Sequence, residues 1–358
     1  MVNLFGLTLK ELEDAIGGTG KERYRARQIY RWVYNKGVYD LSMMDNIPKG
    51  LRVLFKDMFI TEALKPVEYL TSTDGSVKFS FKTEDDNTVE SVLIPEKNRL
   101  TLCVSSQIGC RMACSFCVTG KMGFIRNLET HEIIGQVIGV KKYLDESGKI
   151  NDIHPERITN IVFMGMGEPM DNLDNVLKAI EILKEPLGLD LSRRRITVST
   201  AGLLGGLRRL QPGTVGIAIS LNAADEQKRT EIMPINRLYP IRDIIDFVRH
   251  YKGSPRERIT FEYVLLKDFN DSLDDAGMLH ELLKNIRCKV NLIPFNESPY
   301  SQFRTPDQKT VDRFHSYLIN KHMTAIVRNS RGYDVKGACG QLGMTYLKSK
   351  QMDMVYYG

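Results

Sequence analysis

The sequence predicts an α/β protein, in which an open, partial (β/α)6 barrel follows a small N-terminal helical accessory domain. From Leu100 onward, short apolar strands alternate with helical segments, the pattern of βα units around a parallel sheet. Only six such units are evident, too few for a closed eight-stranded barrel. The first ~70 residues instead show helical periodicity and helix-ending signals.

The composition is that of an ordinary globular protein. Hydrophobic residues make up 42% and charged residues 26% of the 358 residues, and no apolar run approaches the ~20 residues of a membrane-spanning helix. The N-terminus lacks the basic start and long apolar stretch of a secretory signal, so we expect a cytoplasmic protein without membrane contact. A net charge of +6 and a pI near 8.8 permit a nucleic-acid partner without establishing one.

The accessory domain is expected to span residues 1–72 and to hold three helices. These are predicted at Leu7 to Ile16, at Lys21 to Lys36 and around Leu51 to Phe59. A β-extension, residues 73–99, should lead into the barrel, because the runs at 77–81 and 88–94 alternate as strands with one buried face do.

The barrel is expected to span residues 100–330. Its strands are predicted in the segments LTLCVSS, ITNIVFMG, RRITVST, VGIAISLN, RITFEYVLL and KVNLIPFN, with a further candidate in TAIVRN. The active site of such a barrel lies at the carboxyl ends of its strands. The glycine-containing segment 331–358, which carries Cys339, is predicted to be mobile.

Three cysteines form the most informative motif. Cys110, Cys114 and Cys117 lie in a C-x-x-x-C-x-x-C run, in the loop between the first barrel strand and a helix expected to start near Leu128. Three thiolates can bind three irons of a 4Fe–4S cluster and leave the fourth iron open. An open iron at a barrel mouth can bind the amino and carboxylate groups of S-adenosylmethionine (SAM) and pass an electron to its sulfonium. The motif therefore predicts one cluster and a radical reaction.

A zinc site is the alternative interpretation of the same cysteines. Cys103 or a histidine would then complete a tetrahedron around the metal. The second C-x-x-C of a zinc ribbon is missing from the sequence, which favours the cluster. Taken alone, Cys103 could equally be a buried strand cysteine, and Cys339 an inert loop thiol.

The sequence around these cysteines resembles a known family. CRMACSFC in a strand-to-helix loop is similar to the signature of the radical SAM superfamily. The segments LCVSSQIGCRMACSFCVTG, VFMGMGEPMDN, ITVSTAG, VNLIPFN and RGYDVKGACGQL look like the RlmN subgroup of the RlmN/Cfr family of RNA adenosine methyltransferases. The match spans about residues 75 to 345, and the N-terminal helices also look like that family's accessory domain. The resemblance implies a partial barrel of the radical SAM type.

The resemblance also implies a methyl transfer in two stages, onto an adenine carbon that is not nucleophilic. In the family, the cysteine of the ACGQL motif, here Cys339, takes a methyl group from one SAM. A second SAM is cleaved at the cluster, and its 5′-deoxyadenosyl radical removes a hydrogen from that S-methyl group. The resulting carbon radical adds to the adenine ring, which joins RNA and enzyme covalently. Each turnover therefore uses two SAM molecules.

Two further residues match catalytic positions of the family. Cys103 matches the cysteine that attacks the Cys339 sulfur, which releases the product and leaves a disulfide. Glu90 matches the general base that takes the proton from the ring carbon. From the sequence alone, a glutamate that alternates in a strand would instead be assigned to the solvent side.

The same resemblance maps SAM contacts onto the strand ends. Gly167 and Glu168 directly follow the second barrel strand, where glycine lets the backbone approach a ligand and a carboxylate can accept from its ammonium group. The other matched positions are Ser199, Ser220, Leu221, Asn222 and Asn296. Polar residues at such positions also serve as helix caps or turn residues.

An RNA contact is predicted on one face of the second helix. Tyr24, Arg27, Arg31 and Tyr34 share this face at helical spacing, where cations suit phosphates and aromatic rings suit stacked bases. A solvated basic face is the competing interpretation. Further positive charge is expected nearer the barrel mouth, from residues that include Arg193 to Arg195, Arg208, Arg209 and Arg328.

The family's substrates are an adenosine in the peptidyl-transferase centre of 23S rRNA and, for some members, the adenosine next to the tRNA anticodon. The resemblance therefore implies methylation of carbon 2 in 23S rRNA, with tRNA as a second candidate substrate. An external electron donor such as flavodoxin is implied, and a monomer is expected. The alternatives are a Cfr-like carbon-8 methyltransferase, a different radical enzyme that does not need Cys339, and a zinc-stabilised RNA-binding module.

Overall fold

The structure is a computed structural model that describes residues 1–147, 157–251, 253 and 257–348. The rest of the predicted C-terminal segment, residues 349–358, lies outside the described residues. Within the described part, the strands are β1 (Val2–Asn3), β2 (Phe59–Ile60), β3 (Pro66–Thr71), β4 (Val77–Lys82), β5 (Thr88–Glu96), β6 (Arg99–Cys103), β7 (Gln107–Gly109), β8 (Phe124–Asn127), β9 (Asn160–Phe163), β10 (Ile196–Thr200), β11 (Gly216–Ser220), β12 (Ile259–Leu265), β13 (Cys288–Pro294) and β14 (Ala325–Val327).

The α-helices alternate with the later strands, as the sequence predicts. They are α1 (Leu9–Gly17), α2 (Tyr24–Tyr30), α3 (Lys49–Met58), α4 (Val118–Lys121), α5 (Thr130–Ser147), α6 (Leu173–Lys184), α7 (Leu204–Leu207), α8 (Glu226–Ile232), α9 (Ile241–His250), α10 (Leu273–Leu283) and α11 (Gln308–Asn320). Helical crossovers of this kind are what allow consecutive strands to run parallel.

A ten-stranded sheet forms the centre of the described structure, in the order β14-β13-β12-β11-β10-β9-β6-β5-β4-β3. Within this sheet, β6 and the strands from β9 to β14 all run parallel to one another. The first six of these strands are the six that the sequence predicts, and β14 is the further candidate. β14 and β3 form opposite ends of the sheet, so the barrel is open. The predicted α/β class and partial barrel are confirmed.

The β-extension runs antiparallel and joins the barrel at β6. β4 and β5 confirm the two predicted strands, and Val92 of β5 lies directly opposite Cys103 of β6. β3 is an additional strand inside the range 1–72, at the edge of the sheet. It escaped prediction because Val67, Tyr69 and Leu70 are exposed, so β3 shows no alternation of buried and exposed side chains.

The N-terminal region contains the three predicted helices. Thr8 and Glu11 form a reciprocal capping box that starts α1, with bonds of 3.2 and 2.8 Å. α2 continues as a π-helical segment, Arg31–Asn35. Glu11 also pairs with Lys178 of α6 at 2.8 Å, which ties this region to the barrel.

The predicted position of Tyr34 is wrong. Its side chain is buried against Phe5, with ring centroids 6.0 Å apart, and its hydroxyl donates to the Leu4 carbonyl oxygen. The prediction assumed 3.6 residues per turn, but the π-helical segment is wound more widely and turns Tyr34 away from the exposed Tyr24, Arg27 and Arg31.

The expected basic mouth is wrong for Arg193 to Arg195. These residues directly precede β10 and therefore lie at the amino end of a barrel strand, opposite to the predicted site. Arg193 pairs there with Glu257, which precedes β12. Arg328 follows β14 and does lie at a carboxyl end. In the part of the chain that the structure describes, no helix is long and apolar enough to cross a bilayer.

Candidate active site

The loop with the three motif cysteines is held at both ends by a small sheet. β7 and β8 pair antiparallel on either side of it, and the Cys110 N–H donates to the Gly123 carbonyl oxygen at 2.9 Å. Gly109 has a φ of +71°, and a Cβ there would come within 1.8 Å of the same oxygen. Only glycine fits this close approach. The sequence analysis missed β7, β8 and the short helix α4.

The three motif thiols lie close enough to influence one another. Cys110 is buried, and Cys114 and Cys117 are half-buried. Burial raises the pKa of all three thiols, and the charge of the neighbouring motif cysteines raises those of Cys110 and Cys114 further. In a 4Fe–4S cluster each thiolate binds a different iron, so this donor set fits a cluster.

The end of β9 approaches the loop after β6 very closely. A Cβ at Gly165 would lie 2.6 Å from Ser105 Oγ, and one at Gly167, where φ is +96°, would lie 2.4 Å from Gln107 Cβ. The next residue, Glu168, is buried and accepts hydrogen bonds from the backbone N–H of Ala201 at 2.7 Å and of Met170 at 3.1 Å. Burial raises the pKa of Glu168 to about 7.

One cavity, here called the barrel cavity, gathers most of the mapped SAM positions. Ser199, Ser220, Asn222 and Asn296 line it together with Cys117 and Cys339. Asn222 has a φ of +58° and its side-chain oxygen accepts from the Val264 N–H at 2.9 Å, which fixes the strand end. Leu221 is different, because its side chain is fully buried in the hydrophobic core.

A second cavity, here called the thiol cavity, brings together the two cysteines outside the motif. Cys103 and Cys339 both line it, and Cys339, Met164 and Arg328 line the barrel cavity as well. Cys103 is 8% exposed, Cys339 is exposed, and both are free thiols. Burial raises the pKa of Cys103 to about 12. The protein atoms around the Cys339 sulfur in the cavity wall remove it from water and raise its pKa as well, while the Arg328 charge lowers both.

The segment after Cys339 is fastened to the barrel by several hydrogen bonds. Asn296 Nδ2 donates to the Cys339 carbonyl oxygen at 3.0 Å. The Val118 N–H donates to the Gly340 carbonyl oxygen at 2.8 Å, and Thr119 Oγ1 donates to the Leu342 carbonyl oxygen at 2.8 Å. The helix directly after the cluster motif thereby holds Cys339 at the barrel mouth.

Glu90 is buried, at 1% exposure, so its assignment to the solvent side is wrong. Its carboxylate lies 3.3 Å from Lys78 Nζ and accepts from the Gly343 N–H at 2.8 Å and from Thr345 Oγ1 at 3.0 Å. Strand alternation misplaced it because the C-terminal segment covers this face of the sheet. Glu90 is not among the residues that line either cavity.

Sequence reasoning missed two charged residues of this region. Glu262 of β12 is 6% exposed and lines the barrel cavity. One of its oxygens accepts from Asn291 Nδ2 at 2.9 Å, and the other has no hydrogen-bond partner. Burial raises the pKa of Glu262. The second charged residue that was not predicted is Lys78, the ion-pair partner of Glu90. The available signal was a charged residue inside an otherwise apolar strand.

The chain matches two family models. Residues 2–60 match the ribosomal RNA large subunit methyltransferase N-terminal domain, and residues 104–279 match the radical SAM superfamily. Together they cover the predicted accessory domain and most of the predicted barrel. The superfamily match implies a 4Fe–4S cluster and SAM as cofactors.

Curated relatives match over nearly the full length. A protein of Geobacter sulfurreducens named dual-specificity RNA methyltransferase RlmN is 48% identical, over 96% of this chain and 92% of its own length. A protein of the same name from Bdellovibrio bacteriovorus is 41% identical, over 99% of this chain and 86% of its own length.

A solved structure agrees with the family models and with the curated relatives. The crystal structure of a radical SAM methyltransferase from Sphaerobacter thermophilus superposes with a TM-score of 0.88 at 41% identity, and the match covers 95% of this chain and 99% of that one. The resemblance seen in the sequence is confirmed. With its N-terminal domain, its radical SAM barrel and its full-length relatives, this chain belongs to the RlmN family of the radical SAM superfamily.

Proposed function

We propose that this chain methylates carbon 2 of an adenosine in the peptidyl-transferase centre of 23S rRNA, with the adenosine next to the tRNA anticodon as a second substrate. The name of these relatives, dual-specificity RNA methyltransferase, supports an RNA substrate. The observation that carries the proposal is the position of Cys339. Cys339 lines both cavities. It lines the barrel cavity together with the motif residue Cys117, and it lines the thiol cavity together with Cys103.

In this proposal, Cys110, Cys114 and Cys117 hold the cluster, and the barrel cavity takes the SAM. When bound, the cluster supplies the electron that cleaves SAM to methionine and a 5′-deoxyadenosyl radical. Glu168 accepts a hydrogen bond from the SAM amino group, and the strand-end residues Gly167, Ser199, Ser220, Leu221, Asn222 and Asn296 contact the rest of the molecule.

Cys339 is the methyl carrier. Its thiolate attacks the methyl carbon of a first SAM, which leaves as S-adenosylhomocysteine. The radical made from a second SAM would then take one hydrogen atom from the S-methyl group, and the remaining carbon radical would add to the adenine ring. The adduct must next lose one electron, which the oxidised cluster would take back, before the ring proton is removed and the S–C bond breaks. An exposed thiol at the cavity wall suits both the uptake of the methyl group and the addition to the ring, because it can meet SAM on one side and the target base on the other.

Cys103 releases the product. Its thiolate attacks the Cys339 sulfur, an S–S bond forms, and the S–C bond breaks with its electron pair going to carbon, which takes a proton to become the methyl group. The disulfide must be reduced before the next turnover. Glu90 removes the ring proton in this scheme, which requires that Gly343 and Thr345 first leave its carboxylate. Movement of residues 339–345 away from the barrel would permit this.

The remaining parts of the proposal rest on the sequence. They are a cytoplasmic monomer, electrons from an external donor such as flavodoxin, and an RNA contact on the exposed face with Tyr24, Arg27 and Arg31. The target adenine has to leave its stack to reach Cys339, so an unpaired adenosine is the expected substrate.

The test is anaerobic turnover of the cluster-loaded protein with methyl-labelled SAM and unmodified 23S rRNA or tRNA, followed by mass spectrometry of the nucleosides. We expect 2-methyladenosine in 23S rRNA. Formation of 8-methyladenosine would favour the Cfr-like alternative. If 5′-deoxyadenosine accumulates without any methylated nucleoside in either RNA, the proposed function is wrong.

A further inference from the structure

Lys78 and Glu90 form an ion pair in an unusual place. They lie on the adjacent antiparallel strands β4 and β5, their side chains are 4% and 1% exposed, and Lys78 Nζ lies 3.3 Å from Glu90 Oε1. Removing two charges from water is costly, so a buried pair persists only where further hydrogen bonds satisfy it. On this face of the sheet, the C-terminal segment supplies those hydrogen bonds.

The bonds come from two residues just beyond Cys339. The backbone N–H of Gly343 donates to Glu90 Oε2 at 2.8 Å, and Thr345 Oγ1 donates to Glu90 Oε1 at 3.0 Å. Hydrogen bonds to an ionised carboxylate are roughly twice as strong as neutral ones. Glu90 therefore holds the chain at Gly343, shortly after Cys339. Glu90 itself lies on a strand more than 250 residues earlier in the sequence.

The fastened segment covers Cys103. Leu342, which lies between Cys339 and Gly343, is 4% exposed and packs in one small cluster with Cys103 and Val92. Gly337, Ala338 and Leu342 also form part of the wall of the thiol cavity. Cys103 can become accessible from this side only when the segment moves.

We propose that Lys78, Glu90 and Thr345 form a latch that holds the Cys339 segment on the barrel and keeps Cys103 covered until the segment is released. Lys78 and Thr345 are positioning residues, since neither lines either cavity. Release of the latch frees the Glu90 carboxylate and uncovers Cys103 in one motion. The proton acceptor and the thiol that releases the product, which act last in the proposed reaction, therefore become available together. The purpose of the latch rests on the proposed function, but its existence does not.

The test measures how fast Cys103 is alkylated by iodoacetamide in the cluster-loaded protein under anaerobic conditions, with each cysteine peptide resolved by mass spectrometry. Thr345→Val removes one hydrogen bond to the carboxylate at an exposed position, and Lys78→Met removes its ionic partner. Lys82→Met is the matched control, because Lys82 lies on the same strand β4 and pairs with Asp86 at 2.9 Å on the surface.

We expect Thr345→Val to speed Cys103 labelling about tenfold, the effect of losing one hydrogen bond to a charged group. Lys78→Met should speed it at least as much, Lys78→Arg should restore slow labelling, and Lys82→Met should match the wild type. If Thr345→Val labels Cys103 at the wild-type rate, the latch is refuted even if Lys78→Met fails to fold.

A second readout separates the latch from the proposed function. In Thr345→Val, the ratio of 5′-deoxyadenosine to methylated RNA should rise. When the Cys339 segment is loosened, more 5′-deoxyadenosyl radicals should form without removing a hydrogen from the S-methyl group. A ratio equal to that of the wild type would overturn the positioning role. If the wild type methylates no RNA but Thr345→Val still speeds Cys103 labelling, the latch stands and the proposed function falls.

Discussion

The backbone N–H of Val118 donates a 2.8 Å hydrogen bond to the carbonyl oxygen of Gly340, and each of these residues directly follows a cysteine of the site. Val118 follows Cys117, the last cysteine of the cluster motif, and Gly340 follows Cys339. The loop proposed to hold the cluster and the segment proposed to carry the methyl group are therefore built against each other.

The two cysteines outside the motif should fail in different ways when replaced. Cys339→Ala should still form 5′-deoxyadenosine but no methylated RNA, because SAM cleavage does not need the methyl carrier. Cys103→Ala should accumulate RNA bound covalently to the protein, because the thiol that resolves the adduct is missing. Gel mobility of labelled RNA under denaturing conditions measures the adduct. Methylated RNA made by Cys339→Ala would contradict the assignment.

SAM binding should weaken as the pH falls through about 7. Burial raises the pKa of Glu168 from 4.5 to about 7, so in the ligand-free protein the ionised form, which accepts from the SAM amino group, is lost below this pH. Between about pH 8 and pH 6 the ionised fraction falls about tenfold, and the dissociation constant for SAM should rise by a similar factor.

Equilibrium dialysis with labelled SAM measures this effect. Glu168→Gln is the control, because its amide cannot titrate and its binding should be weak at both pH values. A wild-type affinity that does not change with pH would show that Glu168 does not accept from the SAM amino group.

Arg328 should keep the two free thiols reactive. Its charge lowers the pKa of Cys103 and of Cys339 against the larger effect of burial, and the thiolate is the reactive form of cysteine. Arg328→Met should therefore raise both pKa values and slow alkylation of Cys339 near neutral pH. The pH profile of labelling should move to higher pH, while Arg194→Met, at the opposite barrel end, should leave it unchanged. An unshifted profile in Arg328→Met would refute this role.

Gly165 should tolerate no side chain. A Cβ there would lie 2.6 Å from Ser105 Oγ and 2.7 Å from the Val104 carbonyl oxygen, so Gly165→Ala should lower the free energy of unfolding by about 1–3 kcal/mol, the usual cost of overpacking. At Gly50, by contrast, nothing lies within 4 Å of an added Cβ. Gly50→Ala should change stability by about 0.5 kcal/mol or less. Urea unfolding of both variants checks this, and equal effects would contradict the close approach.

The barrel strands and the cysteine motif were predictable because their signals are local. Each buried strand reads as a short apolar run, and Cys110, Cys114 and Cys117 lie within one loop. The residue roles assigned by resemblance remain predictions, although the structure brings Ser199, Ser220, Asn222 and Asn296 to one cavity with Cys339.

Glu90 and Tyr34 were misplaced because the local sequence does not contain the information that determines their positions. Glu90 is covered by Gly343 and Thr345, whose approach depends on the fold of the whole barrel. Tyr34 was misplaced because its helix changes to a π-helical segment at Arg31. Arg193 differs from these two residues: it directly precedes the predicted strand RRITVST, so its place at the amino end of the barrel could have been predicted from the sequence.

The central claim is that Cys339 carries the methyl group. The most direct measurement incubates the cluster-loaded protein anaerobically with SAM bearing a deuterated methyl group, without RNA, and then determines the mass of each cysteine peptide. We predict the labelled methyl group on the Cys339 peptide, and on neither the Cys103 nor the Cys288 peptide. An unmodified Cys339 peptide from a preparation that methylates RNA would contradict the account.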